Sequence, residues 1–166
     1  MIIRSITEND SKQLAQVIKK VESESPYMLF EAGERQLTEE QASKMINRIE
    51  SEENSCIFVA AKEQLEIVGY LFAIGGNVRK NQHCVYIAIG ILKEYTGKGI
   101  GTKLFEELFQ WAKQNEIKRI ELTVVVENES AVSLYKKMGF EIEGVKRNSL
   151  KILGEYVDEF YMSKIL

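Results

Sequence analysis

The sequence predicts an α/β fold, a mixed sheet flanked by helices, and three observations carry that prediction. Runs rich in β-branched and aromatic residues alternate with stretches of helical period, in the order β-α-α-β-β-β-α-β-α-β-β. Two strands, Ser55 to Lys62 and Ile67 to Gly75, are close enough for a hairpin, joined by the charged connection Glu63 to Glu66. Another strand, Arg119 to Val126, ends almost wholly apolar, as a central strand covered on both faces does.

Met1 to Ile6 reads as an opening or edge strand. Thr7 can cap a helix with Asp10 as its acidic first-turn residue, and Leu14, Val17, Ile18 and Val21 give the helical period. The stretch ESESPYMLFEAGER holds the one proline, Pro26, and predicts a loop, because the residue before proline avoids helical geometry. Thr38 and Gln41 form a capping-box pair for a second helix through Ile49, with its apolar stripe on Ala42, Met45 and Ile46. Gly75, Gly76 and Asn77 make a turn before the strand Cys84 to Leu92. A helix follows with Ile100, Leu104, Phe105, Leu108, Phe109 and Ala112 on one face. Asn128 is a reasonable N-cap for a helix through Met138, and Gly139 stops it. Phe140 to Lys146 and Tyr156 to Leu166 predict two late antiparallel strands across a loop at Arg147 to Gly154.

Composition narrows the function classes. A chain of 166 residues with no linker or repeat is most simply a single domain, 1–166. Its 22 basic and 25 acidic residues give a net charge of −3, which argues against a nucleic-acid partner. Cys56 and Cys84 lie in apolar strand-like runs and read as core thiols. The lone histidine, His83, leaves no His-rich metal site, so no metal is expected. The start MIIRSITE is too short in its apolar run for a leader, and no run is long enough to span a membrane. A cytoplasmic location is the default expectation.

The chemistry centres on ILKEYTGKGIGTKLFEELFQWAK, Ile91 to Lys113. A strand gives way to a turn with Gly97, Gly99 and Gly101, and a helix starts inside that turn. Such a turn presents free backbone N–H groups to a phosphate, with glycines allowing close approach. The stretch is neither a dinucleotide fingerprint nor a Walker A loop, since it lacks the full glycine pattern of one and the closing Lys-Ser/Thr of the other. Spacing alone leaves anion binding and a plain tight connection equally open.

A second block, LTVVVENESAVSLYKKMGFEIEG, supplies the context. Together with the glycine loop it resembles the GNAT superfamily of acetyl-CoA-dependent N-acetyltransferases, from about Ile57 to the C-terminus. Glu127, Asn128, Ala131, Leu134, Tyr135, Gly139 and Phe140 fall in family-like positions, and so does the ending DEFYM, Asp158 to Met162. The resemblance implies an acyl-CoA acyltransferase fold, acetyl-CoA as cosubstrate, and direct attack by an amine in a ternary complex. One departure stands out: the loop position usually held by Arg or Gln is Thr96. Its hydroxyl can donate one hydrogen bond but brings no charge. Lys98 or Lys103 is the alternative source of charge, although either also reads as an ordinary surface lysine.

The resemblance also assigns residues. Ile89, Ile91 and Leu92 would form the strand edge along the pantetheine arm, where two parallel strands splay apart. Thr96, Gly97, Lys98, Gly99, Ile100, Gly101 and Thr102 would hold the phosphates, with Asn128 and Ser130 completing the cofactor contacts. Tyr135 would donate a proton to the departing thiolate; an ordinary phenol titrates close enough to a thiol to do so. Packing is the competing reading for Tyr135, and helix capping for Asn128.

The strand HCVYIAIGIL carries no carboxylate to serve as general base. Glu22, Glu24, Glu31 and Glu34, around the first interhelical loop, are the remaining candidates, with a solvated acidic loop as the alternative. Tyr27, Phe30, Glu31, Glu34 and Tyr86 are the expected acceptor contacts. The acidic loop tilts the acceptor toward a small cationic amine over a protein N-terminus or lysine. A catalytically weak or inactive acyl-CoA-binding regulatory module is the rival, and either a monomer or a late-strand homodimer is open.

Overall fold

The computed structural model describes residues 1–63 and 66–166. Gln64 and Leu65, inside the predicted connection Glu63 to Glu66, lie outside the described residues. Chain order gives β1 (Ile2–Ser5), α1 (Ser11–Glu24), α2 (Glu39–Glu50), β2 (Cys56–Lys62), β3 (Glu66–Gly75), β4 (Cys84–Ile91), α3 (Ile100–Gln114), β5 (Arg119–Val125), α4 (Glu129–Lys137), β6 (Glu141–Ile152) and β7 (Glu155–Ile165). Short 3-10 turns at Glu8–Asp10 and Lys93–Tyr95 precede α1 and the glycine loop.

Among the described residues the strands form one mixed sheet in the order β1-β2-β3-β4-β5-β7-β6. Every neighbouring pair is antiparallel except β4 with β5. That parallel pair needs a crossover, and α3 supplies it. The helices take opposite faces. Gly90 and Ile91 are adjacent on β4, so they point to opposite sides of the sheet. A Cβ at Gly90 would meet Tyr70, on the side where α1 packs against β3, and a Cβ at Gly101 of α3 lies 3.6 Å from Ile91 Cδ1. Phe105 of α3 meets Tyr135 of α4 edge to face, which places α4 on the α3 side. Leu14, Ile18, Ile46, Val59, Leu71, Leu104, Leu108 and Ile120 fill the core between these layers.

The helix starts follow the sequence with one refinement. Thr38 accepts from the Gln41 N–H at 3.1 Å, and the Gln41 side chain accepts from the Thr38 N–H at 3.0 Å. At α1 the tying is done by Asp10. Its carboxylate accepts from the Thr7 N–H at 2.8 Å, the Thr7 hydroxyl at 3.0 Å and the Arg4 guanidinium at 2.7 and 2.8 Å. The Arg4 hydrogen bonds, outweighing burial, hold that carboxyl below the usual range.

Two expectations change. The predicted loop Arg147 to Gly154 is mostly strand, because β6 continues to Ile152 and the reversal is the two-residue turn Leu153–Gly154. Both turn residues have positive φ, 49° and 84°, which suits a tight hairpin. A register shift between Lys146 and Leu150, with Asn148 at φ 51°, interrupts the alternation that would have marked the strand. Both cysteines are half-buried and burial pushes both thiols up; Cys56 packs against the core, whereas Cys84 begins β4 outside that cluster.

Candidate functional site

The site begins where β4 and β5 part. Their parallel pairing covers only Cys84↔Arg119, Val85↔Ile120 and Tyr86↔Glu121. Both strands then continue, β4 to Ile91 and β5 to Val125, each still paired on its outer edge to β3 or β7. Ile87 to Ile91 therefore presents an inner edge of backbone N–H and C=O groups with no strand beside it. Strand groups left without a ladder need a partner, and an extended ligand can supply it. Ile89 and Ile91 are half-buried and pack on the core, and Leu92 is buried with its N–H donated to the Val68 carbonyl at 2.9 Å.

At the open end of this cleft lies the glycine loop. Gly97 (φ 71°) and Gly99 (φ 77°) adopt left-handed backbone, and a Cβ on either would meet nothing within 4 Å. Gly99 is the N-cap of α3 and offers no side chain to cap it. The first backbone bond into the helix runs from the Lys103 N–H to the Gly99 carbonyl at 3.2 Å. No described backbone group or side chain accepts from the amides of 97–102, which are concentrated at the positive end of a helix. This is donor chemistry that fits a pyrophosphate. Gly101 serves packing instead. A Cβ there would lie 2.7 Å from Leu134 Cδ2, so the bare glycine lets α3 and α4 approach.

Thr96 does not offer the hydroxyl expected of it. That group donates to the Lys93 carbonyl at 2.8 Å and closes the 3-10 turn. Lys98 is exposed at the loop, with its ammonium 5.1 Å above the Tyr95 ring, and Lys103 is exposed on α3.

Across the cleft stands α4. Asn128 caps it, its side-chain oxygen accepting from the Ala131 N–H at 3.4 Å. The Asn128 amide nitrogen is left over, so capping and ligand contact use different atoms of the same side chain. Ser130 is exposed in the first turn. Tyr135 is 8% exposed, with its ring edge-on to Phe105 and packed on Phe140, and its hydroxyl bonds to no described residue. Burial, and secondarily the neighbouring Tyr86 phenol, hold its hydroxyl above the ordinary phenol range. The foot of the cleft is where β4 and β5 part, just past Tyr86 and Glu121.

Tyr86 closes that foot. Its hydroxyl shares a 2.8 Å hydrogen bond with the Thr123 hydroxyl, linking β4 to β5 just past the last paired residues. From there a trough of about 490 Å³ runs over the sheet face left bare beyond α1 and α2, lined by Arg119, Glu121, Glu143, Lys146 and Tyr161. Arg119 ties Glu121 at 2.7 Å and also grips Glu143, holding the Glu143 carboxyl below its ordinary range.

The interhelical loop reaches both walls of the cleft. Glu24 accepts from the Lys93 N–H at 2.8 Å on the β4 side, and the Tyr27 hydroxyl donates to the Glu127 carbonyl at 3.5 Å on the α4 side. Phe30 lies under the Arg35 guanidinium, 4.3 Å from ring centroid to Cζ. Glu31 and Glu34 are outside any pair with a cation among the described residues, and the Glu34 carboxylate accepts from the Glu31 N–H at 2.8 Å. The Glu22 carboxylate is buried in an ion pair with Arg35. Glu22, Glu24 and Glu34 thus already have partners. His83 lies exposed just before β4, well short of where the cleft opens, and its carbonyl accepts from the Lys118 N–H at 2.9 Å.

Sequence reasoning missed Thr123, Arg119, Glu143 and Tyr70. The first three share a face only through the β5–β7–β6 register. Tyr70 looks like an ordinary core aromatic on β3 until its partner Gly90 is known.

A mixed sheet parted between its central parallel strands, with a phosphate-type loop at the opening, defines an acyltransferase layer fold. The chain belongs to the Acetyltransferase (GNAT) family, whose profile matches residues 18–140. It is similar to the L-amino acid N-acetyltransferase AaaT of Escherichia coli (strain K12), with 33% identity over 104 residues that cover 60% of this chain and 62% of that one. The match thus spans less than two thirds of that relative. In structure it is similar to a GNAT-family acetyltransferase from Streptococcus pneumoniae, with TM-score 0.94 and 28% identity over 99% of this chain and 98% of that chain. A phosphinothricin acetyltransferase from Sinorhizobium meliloti, solved in complex with AcCoA, shares the fold at TM-score 0.87 and 20% identity, over 99% of this chain and 88% of that one. No helix among the described residues is long and apolar enough to cross a membrane.

Proposed function

We propose that this protein is an acetyl-CoA-dependent N-acetyltransferase that passes the acetyl group to a primary amine in a ternary complex. The observation that carries the reading is the end of β4–β5 pairing at Tyr86 and Glu121, with the unclaimed amides of 97–102 at the open end. When bound, acetyl-CoA supplies an acyl thioester whose carbonyl carbon an amine can attack.

The chain's own groups have separable roles. The amides of Gly97 to Thr102 take the phosphates without help from the Thr96 side chain. The inner edge of β4 at Ile89 and Ile91 hydrogen-bonds the pantetheine arm, and a backbone N–H there faces the carbonyl oxygen as negative charge grows on it. The spare amide nitrogen of Asn128 and the hydroxyl of Ser130 hold the arm from the α4 side. Tyr135 donates its proton to the sulfur as the C–S bond breaks and the C–N bond forms. Burial makes its phenol a weaker acid than a free one, so the close match to a thiol expected of an ordinary phenol is reduced, and the role rests on the placement of the hydroxyl. The proton lost by the amine leaves along the Tyr86–Thr123 foot and the trough, because Glu22, Glu24 and Glu34 already have partners; Glu31 is the one candidate carboxylate with no partner among the described residues.

The acceptor is a small amine. The trough balances Glu121 and Glu143 against Arg119 and Lys146, so the preference for a cationic amine rests on Glu31 and Glu34 of the interhelical loop, which have no cation paired to them among the described residues. Similarity to an L-amino acid N-acetyltransferase keeps amino acids in the acceptor panel. The test is calorimetry with acetyl-CoA followed by a free-thiol assay over aliphatic amines, diamines, amino acids and peptide N-termini. Binding with turnover of at least one amine is expected. Binding with no turnover favours the regulatory module, and no binding overturns the reading.

A further inference from the structure

Tyr70 is a phenol the proposed mechanism leaves unused. It sits on β3 opposite Gly90 of β4 and is 3% exposed. Its ring meets Phe72 edge to face at 5.5 Å. The phenol reaches across the ladder: a Cβ built on Gly90 would overlap both its Cζ and its hydroxyl oxygen. The hydroxyl is therefore carried to the β4 backbone, over the one residue with no side chain to obstruct it. It makes no hydrogen bond to a described residue. Among the described residues the fully buried polar side-chain atom left without a partner is Arg35 Nε, not this hydroxyl, so the Tyr70 oxygen keeps an opening through which a ligand can complete it.

Its position gives the ligand. Gly90 belongs to the stretch of β4 that β5 has left, and its outward direction is the α1 face. On that same face the strand carries Tyr86 at one end and exposed Ala88 between, a shelf of small residues bounded by two phenols. Tyr135 reaches the cleft from the opposite face. Behind Tyr70, on the same side, lie the buried Glu22 carboxylate and the Arg35 that pairs with it. One Glu22 oxygen accepts no hydrogen bond from a described residue and the Arg35 Nε–H is buried without an acceptor, so the region next to the phenol holds both a free acceptor and a free donor.

We propose that Tyr70 is an acceptor-side contact for the amine: its hydroxyl oxygen accepts a hydrogen bond from the incoming N–H above Gly90 and turns the nitrogen lone pair toward the cleft. The proposal rests on the acetyltransferase reading. It makes the two buried phenols complementary, Tyr135 donating on the sulfur side and Tyr70 accepting on the amine side. No proton changes owner at Tyr70, so its role is orientation.

The experiment is steady-state free-thiol release by Tyr70→Phe and wild type, with acetyl-CoA and amine varied separately. Removal of one neutral hydrogen bond predicts a fall of about tenfold in kcat/KM for the amine. The KM for acetyl-CoA stays within about twofold and Tm does not fall, since Phe keeps the ring and removes an unpartnered hydroxyl. An unchanged kcat/KM for the amine overturns the proposal, as does a loss carried entirely by the acetyl-CoA KM. Wild-type turnover with any amine while Tyr70→Phe is unaffected sinks only the Tyr70 assignment. Absence of turnover by wild type with every amine sinks both readings, because Tyr70 then has no acceptor to hold.

Discussion

β4 has two edges, and they differ in kind. Toward β3 it is paired continuously from Gly69↔Ile91 to Gly75↔Val85. Toward β5 the ladder stops after Tyr86↔Glu121. The closed edge rests on tightly fitted partners, such as Tyr70 lying over Gly90. The open edge instead leaves polar groups unpaired: strand amides, the amides of 97–102 and the Tyr135 hydroxyl. Ladder stability is concentrated on one side of a single strand and cofactor chemistry on the other, with the Tyr70 hydroxyl the one closed-edge group assigned to the acceptor. Backbone substitutions on the two sides should then separate cofactor chemistry from folding.

The largest expected effect lies on the open side. Tyr135→Phe should lower kcat roughly a hundredfold, the usual scale for losing a positioned acid, with acetyl-CoA affinity by calorimetry unchanged. Unchanged kcat in the thiol-release assay would make Tyr135 a packing residue.

On the closed side, Gly90→Ala drives a methyl into the Tyr70 ring and should cost about 2 kcal/mol by urea unfolding, the scale of core overpacking. An unaltered midpoint would mean that β3 and β4 fit together more loosely than this contact implies.

A smaller effect is expected at Asp10, far from the cleft. Its folded-state carboxyl titrates below its ordinary value, chiefly through the Arg4 hydrogen bonds. The stability it contributes is therefore present above the unfolded pKa and is lost as pH falls through the folded one. Asp10→Asn should cost about 1–2 kcal/mol at pH 7, with the gap to wild type closing in acid below about pH 4. Activity per folded molecule should not change. A gap that is constant with pH would mean the carboxylate's charge contributes nothing.

The smallest effect sharpens the open edge. Thr96→Arg restores charge beside the phosphate loop at the expense of one turn-closing hydroxyl bond, and should tighten acetyl-CoA binding a few-fold at low salt. No change at any ionic strength would show that the backbone amides alone set the affinity.

The fold is largely legible in the sequence because periodicity reports burial directly. The apolar stripes on Leu14 to Val21 and Leu104 to Ala112, the capping box at Thr38 and the stop at Gly139 all form where the pattern places them. β6 is not legible past Lys146, since the bulge around Asn148 breaks the alternation on which strand prediction rests. Within the site, the glycine loop and the α4 block are visible as contiguous motifs. Thr96's engagement with Lys93, the Glu22–Arg35 pair and the Tyr70–Gly90 stack are not, because each depends on which residues the folded chain sets side by side.

Everything proposed for this protein turns on whether the parted β4–β5 edge and the 97–102 amides form the acetyl-CoA cleft. Amide hydrogen exchange with and without acetyl-CoA tests that most directly. Protection is predicted for Ile87 to Thr102, with Leu71 to Gly75 on the closed edge unaffected. Unchanged exchange in 97–102 at saturating acetyl-CoA, or protection confined to elements outside the cleft, would contradict it.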